Sequence, residues 1–178
     1  MEVYRPAEDS YLLAKYVENL VHGRVLDMGT GSGIQGVTAA KKTEVTQVLA
    51  VDLNPAALDS AERMAGEEGV SDKMEFLLSD LYDRVSCCFD WILFNTPYLP
   101  SEGEADEISW AGGPTGSETI KRFLNDSPNF LSKGGSILMI YSSLSNIKKE
   151  DLIGFECKLL EEKTLFFEKL YCVRLSPS

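Results

Sequence analysis

The chain has 178 residues, 44% of them hydrophobic and 25% charged, which suits one packed domain over residues 1–178. These proportions argue against disorder, a collagen-like repeat or a disulfide scaffold. Lys and Arg number 17 against 28 Asp and Glu, and the net charge of −11 opposes unaided binding to a phosphate backbone, so no direct nucleic-acid contact is expected.

Leu13, Tyr16, Val17 and Leu20 recur at helical spacing, with Pro6, Glu8 and Asp9 suited to the first turn of an opening amphipathic helix. Val25-Leu26-Asp27-Met28 is the first strand, followed by a glycine turn and a helix from about 33 to 42. Val48-Leu49-Ala50-Val51 is the second strand; Asn54 then caps a helix with Pro55 at its first position, running to Glu67, and Gly69 stops it. Residues 74–78 and 89–94 read as the third and fourth strands, the latter nearly all apolar, as in a sheet covered on both faces. From Asn95 to Thr115 no periodic pattern occurs, which marks a binding loop or lid. A helical segment at about 117–125 precedes Pro128, Lys133-Gly134-Gly135 turns into a strand over 136–141, and residues 155–175 form two strands joined near Glu168-Lys169. The expected fold class is α/β: a doubly wound, mostly parallel, seven-stranded Rossmann-like sheet with an antiparallel edge hairpin.

Asp27-Met28-Gly29-Thr30-Gly31-Ser32-Gly33 sits where a strand hands over to a helix, and glycines there let the backbone approach a small ligand. The spacing departs from the dinucleotide fingerprint G-x-G-x-x-G, because Ile34 holds the last expected glycine position. Asp27 would repel a pyrophosphate and attract an ammonium, which favours S-adenosyl-L-methionine over a nicotinamide cofactor. Asp52 ends the second strand near the spacing at which an acidic residue grips a ribose, with Leu53 beside it. Asp80 can accept from an adenine amino group while the Leu81 backbone N–H reads a ring nitrogen. Each of these aspartates alone could be a turn or helix cap; together they outline a nucleoside slot with Gly29 and Gly31.

Asn95-Thr96-Pro97-Tyr98 follows the buried fourth strand and places a polar amide at the carboxyl edge of the sheet. With the glycine turn and Asp52, it resembles the class I methyltransferases that modify planar amino or amide nitrogens, whose motif is usually Asn-Pro-Pro-Tyr or Asp-Pro-Pro-Tyr. Val3-Tyr4-Arg5-Pro6-Ala7-Glu8-Asp9-Ser10 and Trp110-Ala111-Gly112-Gly113 resemble the HemK-type release-factor glutamine methyltransferases, in the short archaeal and eukaryotic branch that lacks the bacterial enzymes' extra amino-terminal helical domain. The resemblance implies that Asn95 accepts one N–H of a glutamine side-chain amide, that the carbonyl of Thr96 accepts the other, and that Tyr98 walls the slot. It also implies that Asp9 and Ser10 approach the methionine end of the cofactor. Thr96 replaces the usual proline and gains an N–H; Pro97 still biases it towards extended geometry. The implied client is the Gly-Gly-Gln loop of a class 1 release factor, and the implied partner a small zinc-binding activator subunit forming a heterodimer.

Two rival readings use the same residues: methylation of an adenine exocyclic amine in nucleic acid, and a non-catalytic module that only holds the cofactor. Cys87, Cys88, Cys157 and Cys172 form no C-x-x-C pair and His22 is the single histidine, so this chain alone is expected to hold no metal. The cysteines read as reduced, mostly buried thiols, and Phe166, Phe167 and Tyr171 as core. No apolar run approaches the ~20 residues that span a bilayer, and residues 1–7 lack the pattern of a secretion signal; a cytoplasmic location with no membrane contact is expected.

Overall fold

A computed structural model describes residues 3–97 and 117–178. Helix α1 (Glu8–Leu20) starts after Ala7 with Glu8 and Asp9 in its first turn, and its apolar stripe is buried at Leu12, Leu13 and Val17. Then follow β1 (Gly23–Met28), α2 (Ile34–Ala40), β2 (Val45–Asp52), α3 (Pro55–Glu67), β3 (Met74–Leu78) and β4 (Phe89–Asn95). Beyond the segment left undescribed come α4 (Glu118–Asp126), β5 (Leu131–Ser142), β6 (Phe155–Thr164) and β7 (Lys169–Pro177). The seven strands form one sheet in the order β3-β2-β1-β4-β5-β7-β6. The first five are parallel, β7 runs antiparallel to β5, and β6 closes the edge antiparallel to β7, as the sequence predicts.

Alternate residues of the central strands face two cores. Val25, Leu93, Leu138 and Ile140 pack with Leu13 and Val17 of α1 and Val37 of α2. On the other face, Leu26, Ile92, Ile137 and Met139 pack with Ile120 and Phe123 of α4. Covering both faces explains why β4 has almost no polar positions. Because the chain winds away from β1 in both directions, the carboxyl ends of β1 and β4 flank the point where strand order reverses, and a crevice opens there.

The start of α3 follows its local signals. Asn54 Oδ1 accepts the Ala56 N–H at 3.0 Å and Pro55 fills the first helical position. Asn54→Ala is therefore expected to lower unfolding stability by about 1 kcal/mol, read as a shift in the urea midpoint.

Other boundaries differ from the pattern. β2 begins at Val45 rather than 48, because Val45 and Gln47 pair with Gly23 and Arg24 at the start of β1; the Gln47 side chain also hydrogen-bonds to Glu75 of β3 at 2.7 Å. The expected turn at Lys133-Gly134-Gly135 lies inside β5 as a bulge: Phe89 pairs with Leu131, and Trp91 with Ser136. A Cβ on Gly135 would stand 2.9 Å from the Phe89 carbonyl oxygen, so a side chain is excluded from this close approach.

Two expectations are corrected. Among the thiols only Cys172 is buried; Cys88 and Cys157 are exposed and Cys87 is intermediate, because Cys157 sits on the outermost strand and Cys87 and Cys88 precede β4. All four are free. Phe166 and Phe167 are not core: they occupy the β6–β7 turn and are 101% and 94% exposed, beyond the last paired residue Thr164. Tyr171 is half-buried on β7, its ring tilted against Tyr141. No helix among the described residues is long and apolar enough to cross a membrane.

Candidate active site

The crevice holds a cavity of about 300 Å³ whose walls include Ser10, Gly29, Gly31, Asp52, Asp80 and Asn95. Leu53, Leu81, Thr96 and Pro97 also line it. Tyr98 and Trp110-Ala111-Gly112-Gly113 lie outside the described residues.

Gly29, Gly31 and Gly33 all have positive φ, at 63°, 54° and 91°. Gly33, the residue before α2, shows why: a Cβ there would come 2.7 Å from the Cα of Ala61, so α3 can lie against the turn only when this position has no side chain. Asp27 does not line the cavity. It is 1% exposed, and its Oδ2 accepts the Thr30 hydroxyl at 2.6 Å and the Gly36 N–H at 2.9 Å, tying the turn to α2 from beneath.

Asp52 clamps the two neighbouring turns from the end of β2. Its Oδ2 accepts the Gly31 N–H at 3.0 Å and its Oδ1 the Asn54 N–H at 2.9 Å. Burial raises its pKa, against the pull of the backbone N–H groups of Asn54, Gly31 and Leu53. Each oxygen retains acceptor capacity, and a ligand bearing adjacent hydroxyls suits such a carboxylate.

Asp80 follows β3, and its carboxylate accepts from Arg122 of α4 at 2.9 Å. With Arg122 52% and Asp80 38% exposed, the ion pair adds little stability, but it holds the carboxylate at the cavity rim. Leu81 has φ 45°, an uncommon angle for a side-chain-bearing residue, in a turn where its carbonyl accepts the Ser79 hydroxyl at 3.1 Å. Arg122 was not among the residues singled out from sequence; its link to Asp80 spans two elements.

Asn95 ends β4. Its Nδ2 donates to Asp9 Oδ2 at 2.9 Å and to Ser10 Oγ at 3.3 Å, whereas its buried Oδ1 has no hydrogen-bond partner among the described residues. Thr96 is 3% exposed, and both its N–H (3.2 Å) and its hydroxyl (2.9 Å) donate to the Ile140 carbonyl of β5. Two bonds to the neighbouring strand thus hold the position that a proline ring would stiffen. Gln35 is a further residue that sequence reasoning passed over. Its Nε2 donates to the Ser10 carbonyl at 2.8 Å, and its buried Oε1 has no partner among the described residues, although Gln35 lines the same cavity. A long polar side chain in the first turn of the helix that follows the glycine turn was the available signal.

The buried Gln35 oxygen, which has no donor among the described residues, and the acceptor capacity left on Asp52 fit a ligand that brings ammonium and hydroxyl donors. Among the described residues no group of His, Cys, Asp and Glu could hold a metal ion.

A crevice of this kind at the switch point of a mostly parallel, seven-stranded sheet with an antiparallel edge pair places the chain in the Rossmann-like fold class. The chain belongs to the methyltransferase small domain family, which matches residues 8–164. It is 37% identical to a provisionally named protein N5-glutamine methyltransferase of Methanocaldococcus jannaschii, over 97% of this chain and 90% of that one. It is 39% identical to a release factor glutamine methyltransferase of Rhodopirellula baltica, over 84% of this chain but only 52% of that longer relative. In fold it is similar to a ribosomal protein L11 methylase of Lactobacillus delbrueckii subsp. bulgaricus, with a TM-score of 0.70 at 19% identity, over 99% of this chain and 82% of that one.

Proposed function

We propose that the chain transfers the methyl group of S-adenosylmethionine to the side-chain amide nitrogen of the glutamine in the Gly-Gly-Gln loop of a class 1 peptide chain release factor. The observation that carries the reading is the buried Oδ1 of Asn95, a residue that lines the cavity: its nitrogen is already engaged, while the oxygen has no partner among the described residues. The relatives named for glutamine methylation support the amide as target.

S-adenosylmethionine supplies an electrophilic methyl group on a sulfonium centre. Asp52 would take the ribose hydroxyls with Leu53 beside it, and Asp80 and the Leu81 N–H would read the adenine edge. Gly29 and Gly31 would line the methionine end above Asp27, with Ser10 and the Gln35 oxygen near the ammonium. An amide nitrogen is a weak nucleophile because its lone pair is delocalised. Asn95 Oδ1 and the Thr96 carbonyl would accept its two N–H groups and aim the nitrogen at the methyl carbon, with Pro97 and Tyr98 completing the wall. Positioning of this kind can contribute ~7–11 kcal/mol over free encounter.

Adenine in nucleic acid presents a similar planar amine, but the net charge of −11 opposes that client. The proposal includes a small zinc-binding partner and a cytoplasmic release factor. Mass spectrometry of a class 1 release factor incubated with cofactor and this chain, with and without such a partner, tests it. A gain of one methyl group on the Gly-Gly-Gln glutamine is expected; label entering only DNA, or no protein in either arm, overturns it.

For the cofactor assignment, Asp52→Ala is expected to weaken S-adenosylmethionine binding by ~1.5–3 kcal/mol in calorimetry. An unchanged dissociation constant would put the ribose elsewhere.

A further inference from the structure

Asp9 lies in the first turn of α1 and is 3% exposed. One of its oxygens, Oδ1, accepts the Ser10 N–H at 2.7 Å, the Tyr4 hydroxyl at 2.9 Å and the Ser10 hydroxyl at 3.3 Å. The other, Oδ2, accepts Asn95 Nδ2 at 2.9 Å across 86 residues of chain. An asparagine amide has two ends of nearly equal size, and a half-turn about its last bond exchanges acceptor for donor. A flipped Asn95 would set an NH₂ group against the NH₂ of an incoming amide and present its oxygen to Asp9. An ionised carboxylate accepts only, so it tolerates one of these two orientations.

We infer that Asp9 is a positioning residue that fixes the Asn95 amide with its oxygen towards the cavity, the donors from Tyr4 and Ser10 fixing the Asp9 carboxylate in turn. The inference rests on the proposed role of Asn95 as acceptor for the substrate amide. It deepens that role by naming what sets the direction of the acceptor. Asp9 also lines the cavity, but both of its oxygens are engaged by Tyr4, Ser10 and Asn95, so in this scheme it acts through the Asn95 amide.

The test uses Asp9→Asn, Asn95→Asp and the double variant in the full chain, with steady-state methylation of a glutamine substrate. In Asp9→Asn the donors from Tyr4 and Ser10 hold the new amide's oxygen, so its NH₂ group faces Asn95 and favours the reversed orientation of that amide. Turnover is expected to fall on the order of 10–100-fold in kcat, with KM for the cofactor nearly unchanged. Asn95→Asp sets two carboxylates against each other and is expected to be impaired as well. The double variant restores one donor facing one acceptor and leaves an acceptor oxygen towards the cavity, so it should recover most of the kcat lost in Asp9→Asn. A merely structural role for Asp9 would not produce that recovery. A readout independent of turnover is the side-chain ¹⁵N–¹H resonance pair of Asn95, which should shift in Asp9→Asn while the thermal midpoint stays near that of the parent. Parental kcat in Asp9→Asn, an unmoved Asn95 resonance, or a double variant no better than Asp9→Asn would each overturn the inference. Should Asn95→Ala retain parental turnover, the acceptor reading itself fails; should that variant be inactive while Asp9→Asn is fully active, only the Asp9 inference fails.

Discussion

Asn95→Ala is expected to lower turnover on the order of 10²–10³-fold, as removal of one preorganised polar contact at a reacting group does. The free oxygen that would receive a substrate N–H disappears, and Asp9 Oδ2 loses its donor at the same time. Cofactor affinity should change far less, because the contacts assigned to the nucleoside come from Asp52, Asp80 and Leu81 at the ends of other strands. The effect should therefore lie in kcat, with calorimetric binding of S-adenosylmethionine close to that of the parent. Near-parental turnover would remove Asn95 from the mechanism.

Asp27 is expected to make stability fall as pH rises through the weakly acidic range. Burial pushes its pKa up to about 7; the Thr30 and Gly36 hydrogen bonds pull the other way, and nearby Asp52 adds to the rise. In an unfolded chain the same carboxyl titrates near ~3.9. Between those values the folded state keeps a proton that the unfolded state has released. The stability this proton contributes is complete below pH ~4 and is lost progressively up to about pH 7, a total of roughly 4 kcal/mol. Urea unfolding at pH ~5 and ~8 should show the parent losing roughly 2–3 kcal/mol more over the interval than Asp27→Asn, which has no proton to release. Equal pH dependence in both proteins would mean that Asp27 is ionised in the fold. The presence of such a buried carboxyl under the glycine turn also explains why Thr30 and Gly36 donate to it: without these two donors its acceptor oxygen would be stranded between β1 and α2.

The parts of the site that could be read from sequence share one property, a short-range cause. Asn54 and Pro55 define the start of α3 through a cap two residues long, so the helix begins where pattern places it. Asp52 and Asn95 end strands recognisable from apolar runs, and the carboxyl ends of parallel strands gather on one edge, so their proximity to a common crevice follows from connectivity. Where the cause is long-range, residue type misled or was silent. Phe166 and Phe167 look like core by hydrophobicity, but they fall on a turn that no other described element covers, and hydrophobicity alone cannot place the turn within a hairpin. Thr96 looks like a loosened version of a proline motif; its two hydrogen bonds to Ile140, 44 residues away, reverse that impression.

The amino-acid sequence by itself determined the alternation of strands and helices, the antiparallel closing hairpin, and the two polar groups, Asp52 and Asn95, on which the catalytic reading turns. These follow from hydrophobic period, caps and strand ends, all of which act within a few residues. Tertiary structure alone decided which atoms remain available. Asp27 is drawn beneath the turn, Asp80 is paired with Arg122, and the nitrogens of Asn95 and Gln35 are engaged while their oxygens stay open. A side chain's free hydrogen-bonding capacity is what remains after its neighbours are satisfied, and those neighbours come from distant parts of the chain that only folding brings together.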